Sequence, residues 1–217
     1  MQGFSRTGKT VVSGHGQKNA QLVQGLVASV SVEPDLPADK FAQLAQYLFK
    51  GRSQLRNIGA APDLIIKYMY PLEGNEAAIG LNFRNHPKQL QAVLQARDNK
   101  SLLLDGPVDL VQGGQGFIAR IPVFLDRQQS GEDNVFWGVI SAVIDVDQLY
   151  QASGLLALAE EFDIALRRNG GPENSKVFFG TGQIFDQHPV LLDISLPDNG
   201  SWQMAAIPKG GWSGAGG

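Results

Sequence analysis

The chain has no cysteine among its 217 residues. That excludes disulfides, thiol nucleophiles and every zinc site built on thiolates. The absence suits an oxidising compartment, where stray thiols are a liability, although many cytosolic proteins share it. Charge is also sparse: Asp, Glu, Lys and Arg make up 18% of the residues, against about 25% in ordinary soluble domains. The formal net charge of −3 supplies no general field for holding nucleic acid or an anionic membrane surface. The three histidines, His15, His86 and His188, are isolated, with no i, i+4 partner and no H-E-x-x-H frame, so no metal site is expected. No G-x-S-x-G elbow supplies a serine nucleophile. No apolar run reaches the roughly 18 residues of a bilayer span. Met1 to Ser5 lack the apolar core of a signal peptide. Two origins fit: a cytosolic protein, or the soluble residues of a longer membrane protein.

Gly3-Phe4-Ser5-Arg6-Thr7-Gly8-Lys9-Thr10 matches the P-loop pattern G-x-x-x-x-G-K-[ST] letter for letter. A working P-loop comes after a buried strand and opens a helix. Here only Met1 and Gln2 precede the motif, and Gly14 and Gly16 break the segment where the helix should run. No nucleotide is expected there, and no cofactor elsewhere. Gln112-Gly113-Gly114-Gln115-Gly116 lies between two strand-like stretches and enters no helix, so it reads as a hairpin turn and not as an anion loop.

Hydrophobic residues make up 43% of the chain, and their spacing outlines the elements. Val23, Leu26, Val27 and Val30 mark one face of a helix, and Glu33-Pro34-Asp35-Leu36-Pro37 ends it. Phe41, Leu44, Ala45 and Leu48 mark a second helix, with Pro37 at its start and Gly51 at its end. Leu55 to Gly59 and Leu64 to Tyr70 read as two strands joined at Ala61-Pro62-Asp63. Pro87 opens another helix carrying Leu90, Val93 and Leu94, with His86 at its start and Asn99 near its end. Strands come next at Leu102–Leu104, Phe117–Phe124 and Val135–Ile144, the last two separated by a polar loop. A second set is expected at Phe162–Arg167, Val177–Gly180, Val190–Leu196 and Trp202–Ile207, punctuated by Gly- and Pro-rich turns. The fold class is α+β: a long N-terminal helical segment (1–54) followed by two PAS-like antiparallel-sheet modules in tandem (55–150 and 151–217).

Within Phe117–Phe124, alternation puts Phe117, Ala119, Ile121 and Val123 on one face and Ile118, Arg120 and Phe124 on the other. An exposed face would explain Arg120 without any function. A covered face would demand an acidic partner or an anionic ligand. Glu73, Glu76, Asp105 and Asp109 read as turn and surface carboxylates.

From Pro71-Leu72-Glu73-Gly74-Asn75-Glu76 through Ile79-Gly80-Leu81-Asn82-Phe83-Arg84 the sequence resembles a CHASE domain, the extracellular sensor of diguanylate cyclases and histidine kinases. The resemblance continues at Ala96-Arg97-Asp98, Leu104-Asp105-Gly106-Pro107, Gly116-Phe117, Ile121-Pro122-Val123-Phe124 and Phe136-Trp137-Gly138. It implies a membrane-distal PAS-like module that binds a small molecule, a membrane-proximal module, flanking transmembrane helices that this chain lacks, and a periplasmic or extracellular location. In plant cytokinin receptors, which share the domain, a pocket aspartate holds the adenine-like ligand. Asn82 occupies that place, Leu104 matches the pocket leucine, and Arg120 falls where a threonine is found. Gly106 and Phe117 complete the candidate set. The departures at Asn82 and Arg120 point away from a cytokinin and toward an anionic small molecule. A homodimer built on the Val23–Val30 stripe is expected in the receptor. Two further readings stand beside this one: a ligand-free dimerisation and relay module, and a soluble nucleotide-binding enzyme using Gly3–Thr10.

Overall fold

A computed structural model of the chain describes residues 23–50, 54–110, 113–126, 128, 131–170, 176–196, 198 and 200–212. These fall into two compact units, divided between Val146 and Asp147. The Gly3–Thr10 motif and Gly51 lie outside the described residues.

The first unit begins with helix α1, described over residues 23–32. Val23, Leu26 and Val30 are almost fully buried, as an amphipathic stripe requires. Val27 of the same stripe is half-buried, so three of its four residues pack inside the chain. Helix α2 (Ala38–Phe49) buries Phe41, Ala45 and Leu48, and Pro37 sits at its N-cap. Strands β1 (Leu55–Pro62) and β2 (Tyr68–Tyr70) come next. Two short 3-10 turns (Glu76–Ala78 and Phe83–Asn85), helix α3 (Pro87–Asn99), and strands β3 (Leu103–Asp109), β4 (Gln115–Leu125) and β5 (Val135–Asp145) complete the unit. The sheet order is β2-β1-β5-β4-β3, antiparallel throughout.

The strand expected over Leu64–Tyr70 forms only in its last three residues. Asp63 and Leu64 take positive φ, 48° and 65°. The chain then turns away from β1, and Ile65 bridges Asn82 while the Ile66 N–H donates to the Leu81 carbonyl. Strand β3 runs past Leu104, bulging between Asp105 and Val108.

Register defines the two faces of the sheet, because residues opposed across antiparallel strands point the same way. One face carries Ile58, Ala142, Ala119 and Leu104 in one row and Ala60, Ile140 and Ile121 in the next. All seven are buried. Helix α2 reaches this face through Phe41, whose ring stacks on Tyr68 at 5.0 Å, and the Tyr68 hydroxyl donates to the Leu36 carbonyl at 2.7 Å. The other face carries the row Asn57, Val143, Ile118 and Asp105 and the row Gly59, Ser141, Arg120 and Leu103. On that side Ala61, Leu64, Ile66, Phe83, Val93 and Val139 form a core, with Leu90 and Leu94 of α3 packed against it. Gly138, at φ +155°, lets β1 and β5 approach: a Cβ there would stand 2.1 Å from the Ala61 carbonyl oxygen.

The second unit contains most of helix α4 (Val146–Ala152), then α5 (Leu155–Glu161) and strands β6 (Phe162–Arg168), β7 (Val177–Phe179), β8 (Val190–Ser195) and β9 (Ser201–Pro208). The four strands pair antiparallel in the order β7-β6-β9-β8. Its sheet buries Trp202, Met204, Leu166 and Ile194. The two helices were not foreseen from sequence. Each has seven residues, too short to establish a period against the turn signals at Ser153-Gly154.

Candidate ligand-binding site

Arg120 is only 2% exposed, the one arginine among the buried polar side chains of the described residues. Its strand places it mid-sheet, opposite Ser141 on β5 and Leu103 on β3. Nη1 donates to Ser141 Oγ at 2.8 Å and Nη2 to Gln89 Oε1 of α3 at 3.2 Å. The guanidinium lies over the Phe83 ring, 5.3 Å from its centroid. Both hydrogen-bond partners are neutral, and Nε, also buried, has none among the described residues. The ion pairs among the described residues join Lys40 to Glu33, Arg84 to Asp63 and Arg97 to Asp98, and none includes Arg120. Burial pulls the Arg120 pKa down from the ordinary arginine value to about 10, against a weaker upward pull from the Asp105 carboxylate. A full positive charge is thus held in the protein with no full negative charge bonded to it among the described residues. Of the two sequence readings of Arg120, the covered face is the one the structure shows.

The neighbouring row is less covered. Val143, Ile118 and Asp105 are half-buried, while Asn57 is buried at 8% exposure. Neither the Asn57 amide nor the Asp105 carboxylate has a hydrogen-bond partner among the described residues. Neither belongs to the buried unpartnered groups of the described residues, so both reach solvent.

The sequence-derived candidates are not all brought together. Leu104 and Phe117 are buried on the opposite face, because Leu104 pairs with Ala119 and Phe117 is an odd step from Arg120. This register keeps Leu104 off the Arg120 face, where it was expected, and leaves Phe117 on the face its alternation predicts, opposite Arg120. Gly106, at φ +123°, belongs to the β3 bulge, where a Cβ would stand 2.8 Å from the Gly116 carbonyl oxygen; its role is close backbone approach. Asn82 is half-buried and caps the turn Phe83–Asn85, its side chain accepting from the Arg84 N–H at 3.0 Å. The adjacent Phe83, and not Asn82, reaches the Arg120 guanidinium. Ser141, Gln89, Asn57 and Asp105 were missed. Asn57 and Ser141 had a legible signal, as lone polar residues inside otherwise apolar strand runs.

The second unit offers a weaker counterpart. Arg167 Nε and Nη2 both donate to Gln203 Oε1, at 3.0 and 2.6 Å, with the guanidinium 3.9 Å from the Phe185 centroid. Tyr150 is buried with its hydroxyl lacking a partner among the described residues, and burial, assisted by Asp147, raises its pKa.

The first unit thus holds a buried cation on its antiparallel sheet beneath α3. The sequence matches the CHASE domain family over residues 10–179, and the chain belongs to that family. No curated protein sequence matches it. In fold the chain is similar to an extracellular ligand-binding receptor from Desulfohalobium retbaense, with a TM-score of 0.67 and 13% identity over 92% of this chain and 38% of that one. It thus spans well under half of that receptor chain. It is also similar to the ligand-binding domain of the Pseudomonas aeruginosa amino acid chemoreceptor PctC in complex with GABA (TM-score 0.63, 12% identity, 92% of this chain and 94% of that one). A third likeness is to the periplasmic sensory domain of the Campylobacter jejuni chemoreceptor Tlp1 (TM-score 0.61, 14% identity, 95% and 93%). At these identities the likeness is one of fold. CHASE membership makes the chain an extracellular sensory, ligand-binding domain of a membrane receptor and not an enzyme. Among the described residues no helix is long and apolar enough to cross a membrane.

Proposed function

We propose that the module of residues 55–150 binds a small anionic molecule on the α3-covered face of its sheet, with Arg120 as the anchor. Binding is relayed across the membrane, in a homodimeric receptor, to a cytoplasmic diguanylate cyclase or histidine kinase. The observation that carries the reading is the buried Arg120 guanidinium, bonded only to neutral Ser141 and Gln89 among the described residues. Holding such a charge without an anion is costly, and a carboxylate or phosphate matches the donor fork. The PctC domain, alike in fold, is in complex with GABA, itself a carboxylate. Asn82, beside Phe83, lies at the edge of the proposed site.

The test is calorimetric titration of a panel of small carboxylates and phosphates into wild type, Arg120→Ala and Asn82→Ala. Truncating one partner of a desolvated charge pair costs on the order of 2–5 kcal/mol. Arg120→Ala should therefore weaken binding at least tenfold, a decade being about 1.4 kcal/mol. Unchanged affinity in that variant sinks the proposal.

A further inference from the structure

We propose that the free edge of β8, in the second unit, is an interface between two copies of the chain, which pair antiparallel about a twofold axis at Leu192. The proposal is independent of the Arg120 reading and gives the homodimer of that reading a surface. Strand β8 ends the sheet order β7-β6-β9-β8. The ladder on its inner side fixes which of its backbone groups point outward. The Ser201 carbonyl accepts from the Asn169 N–H, on the β6 side, and the Gly200 carbonyl accepts from the Leu196 N–H, on the β8 side. Backbone groups alternate along a strand, so Trp202, Met204 and Ala206 bond toward their partners Ile194, Leu192 and Val190. That leaves the N–H and C=O groups of Leu191, Asp193 and Ser195 pointing away from β9, unbonded among the described residues. Proteins normally blunt such an edge with a short strand, proline, a bulge or charge. The other sheet edges carry these devices: β2 and β7 have three residues each, and β3 has Pro107 inside its bulge. Strand β8 runs for six residues without bulge or proline, and it exposes Val190 at 36% and Leu191 at 50%. Its one charge, Asp193, accepts from the Asn169 amide at 3.1 Å.

A second copy of the same strand is the partner that fits. Because only alternate residues bond outward, an antiparallel pair must match Leu191, Asp193 and Ser195 among themselves. Two twofold registers then keep most of the strand paired. One sets Asp193 against Asp193 of the second copy, and like charges directly opposite are destabilising. The other sets Leu192 against Leu192 of the second copy, Val190 against its Ile194, and Leu191 against its Asp193. In that register Leu191 and Asp193 exchange both backbone bonds across the seam, and no two carboxylates meet. Val190 of one copy then extends the row that Ile194 of the other shares with Trp202. A contact made by the same patch on both chains closes on itself, so pairing stops at the dimer.

The chain has no cysteine, so single cysteines introduced into the intact chain report the pairing on oxidation. In the proposed register Leu192 and its copy form a non-hydrogen-bonded pair with Cα atoms about 4.5 Å apart, within disulfide reach. Leu191 and Asp193 each lie diagonal to their own copies, about 7–8 Å away and beyond that reach. Leu192→Cys should therefore give a covalent dimer about tenfold faster than Leu191→Cys, Asp193→Cys or Leu72→Cys, the last an exposed first-unit control for chance collision. Sedimentation gives a second readout at Leu191, whose half-exposed side chain can change without disturbing the core. Leu191→Lys sets an ammonium against Asp193 of the second copy, and Leu191→Asp sets a like charge there, each at both ends of the seam. The dimer dissociation constant should fall about threefold in the first variant and rise about tenfold in the second. The proposal is overturned if any of the three other cysteines links as fast as Leu192→Cys, or if Lys and Asp at Leu191 act alike. It is also overturned if wild type and Leu191→Lys both stay monomeric across the concentration series. These assays contain no ligand, so their failure leaves the Arg120 site standing.

Discussion

At the scale of the residue, a buried charge sets the character of the site. A guanidinium whose pKa is pulled down by burial to about 10 is held charged at neutral pH at a cost on the order of 3 kcal/mol. Between about 10 and the ordinary arginine value the unfolded chain binds a proton that the folded chain has released, so this group's share of stability rises with pH through that window and is flat near neutrality. Substituting Arg120→Met keeps much of the volume and removes the charge. In urea unfolding at pH 7 the ligand-free variant should gain about 1–3 kcal/mol, as replacement of buried charge by apolar side chains commonly does. A loss instead would mean that the bonds to Ser141 and Gln89 outweigh desolvation, and that Arg120 is a structural residue. Strand alternation in the sequence identified which residues share a face with Arg120, but it carries no information on whether anything covers that face. Asn57 and Asp105 were out of reach for the same reason: their relation to Arg120 is set by register across β1, β5, β4 and β3, which pairing decides and linear order does not.

Elements were more legible than their pairings. The helices at Ala38–Phe49 and Pro87–Asn99 follow their apolar periods and prolines, and the long strands β4 and β5 follow their apolar runs. Segment 63–67 was misread because Ile65 and Ile66 have strand-like composition while their backbone partners, Asn82 and Leu81, lie far along the chain. The reach of β1 beside β5 depends on one position. Gly138→Ala would drive a Cβ into the Ala61 carbonyl at 2.1 Å, a backbone clash that no rotamer relieves. Chemical unfolding of that variant should show a loss of about 3 kcal/mol or more, at the upper end for overpacking. The stripe on α1 tests a different point. Leu26, 2% exposed, is a core residue, so Leu26→Ala should cost about 2–4 kcal/mol and leave the sedimentation coefficient unchanged. A shift in the association state of the chain would show that the stripe also serves as a seam between copies.

For the whole molecule, division between Val146 and Asp147 gives each sheet its own core, and the proposal places ligand in the first unit alone. Ligand at about 100 times its Kd adds roughly 2.7 kcal/mol to the folded state it binds. Hydrogen exchange should then slow in β3, β4, β5 and α3 while the amides of β6 to β9 keep their rates in locally opening states. Equal slowing in β6 to β9 would place ligand in the second unit, near Arg167 and Gln203. Because the first unit's sheet is a single layer, the strand that carries Arg120 toward α3 also carries Ala119 and Ile121 into the opposite core. There Ile121 shares a row with Ile140 and Ala60, and Ala60 pairs with Tyr68 beneath Phe41 of α2. The sheet therefore works as a diaphragm: pressure on one side cannot displace β4 without moving methyl groups on the other. The first recorders of occupancy outside the pocket are the Ile121 and Ala60 methyl resonances, which should shift on titration even though neither side chain faces the ligand.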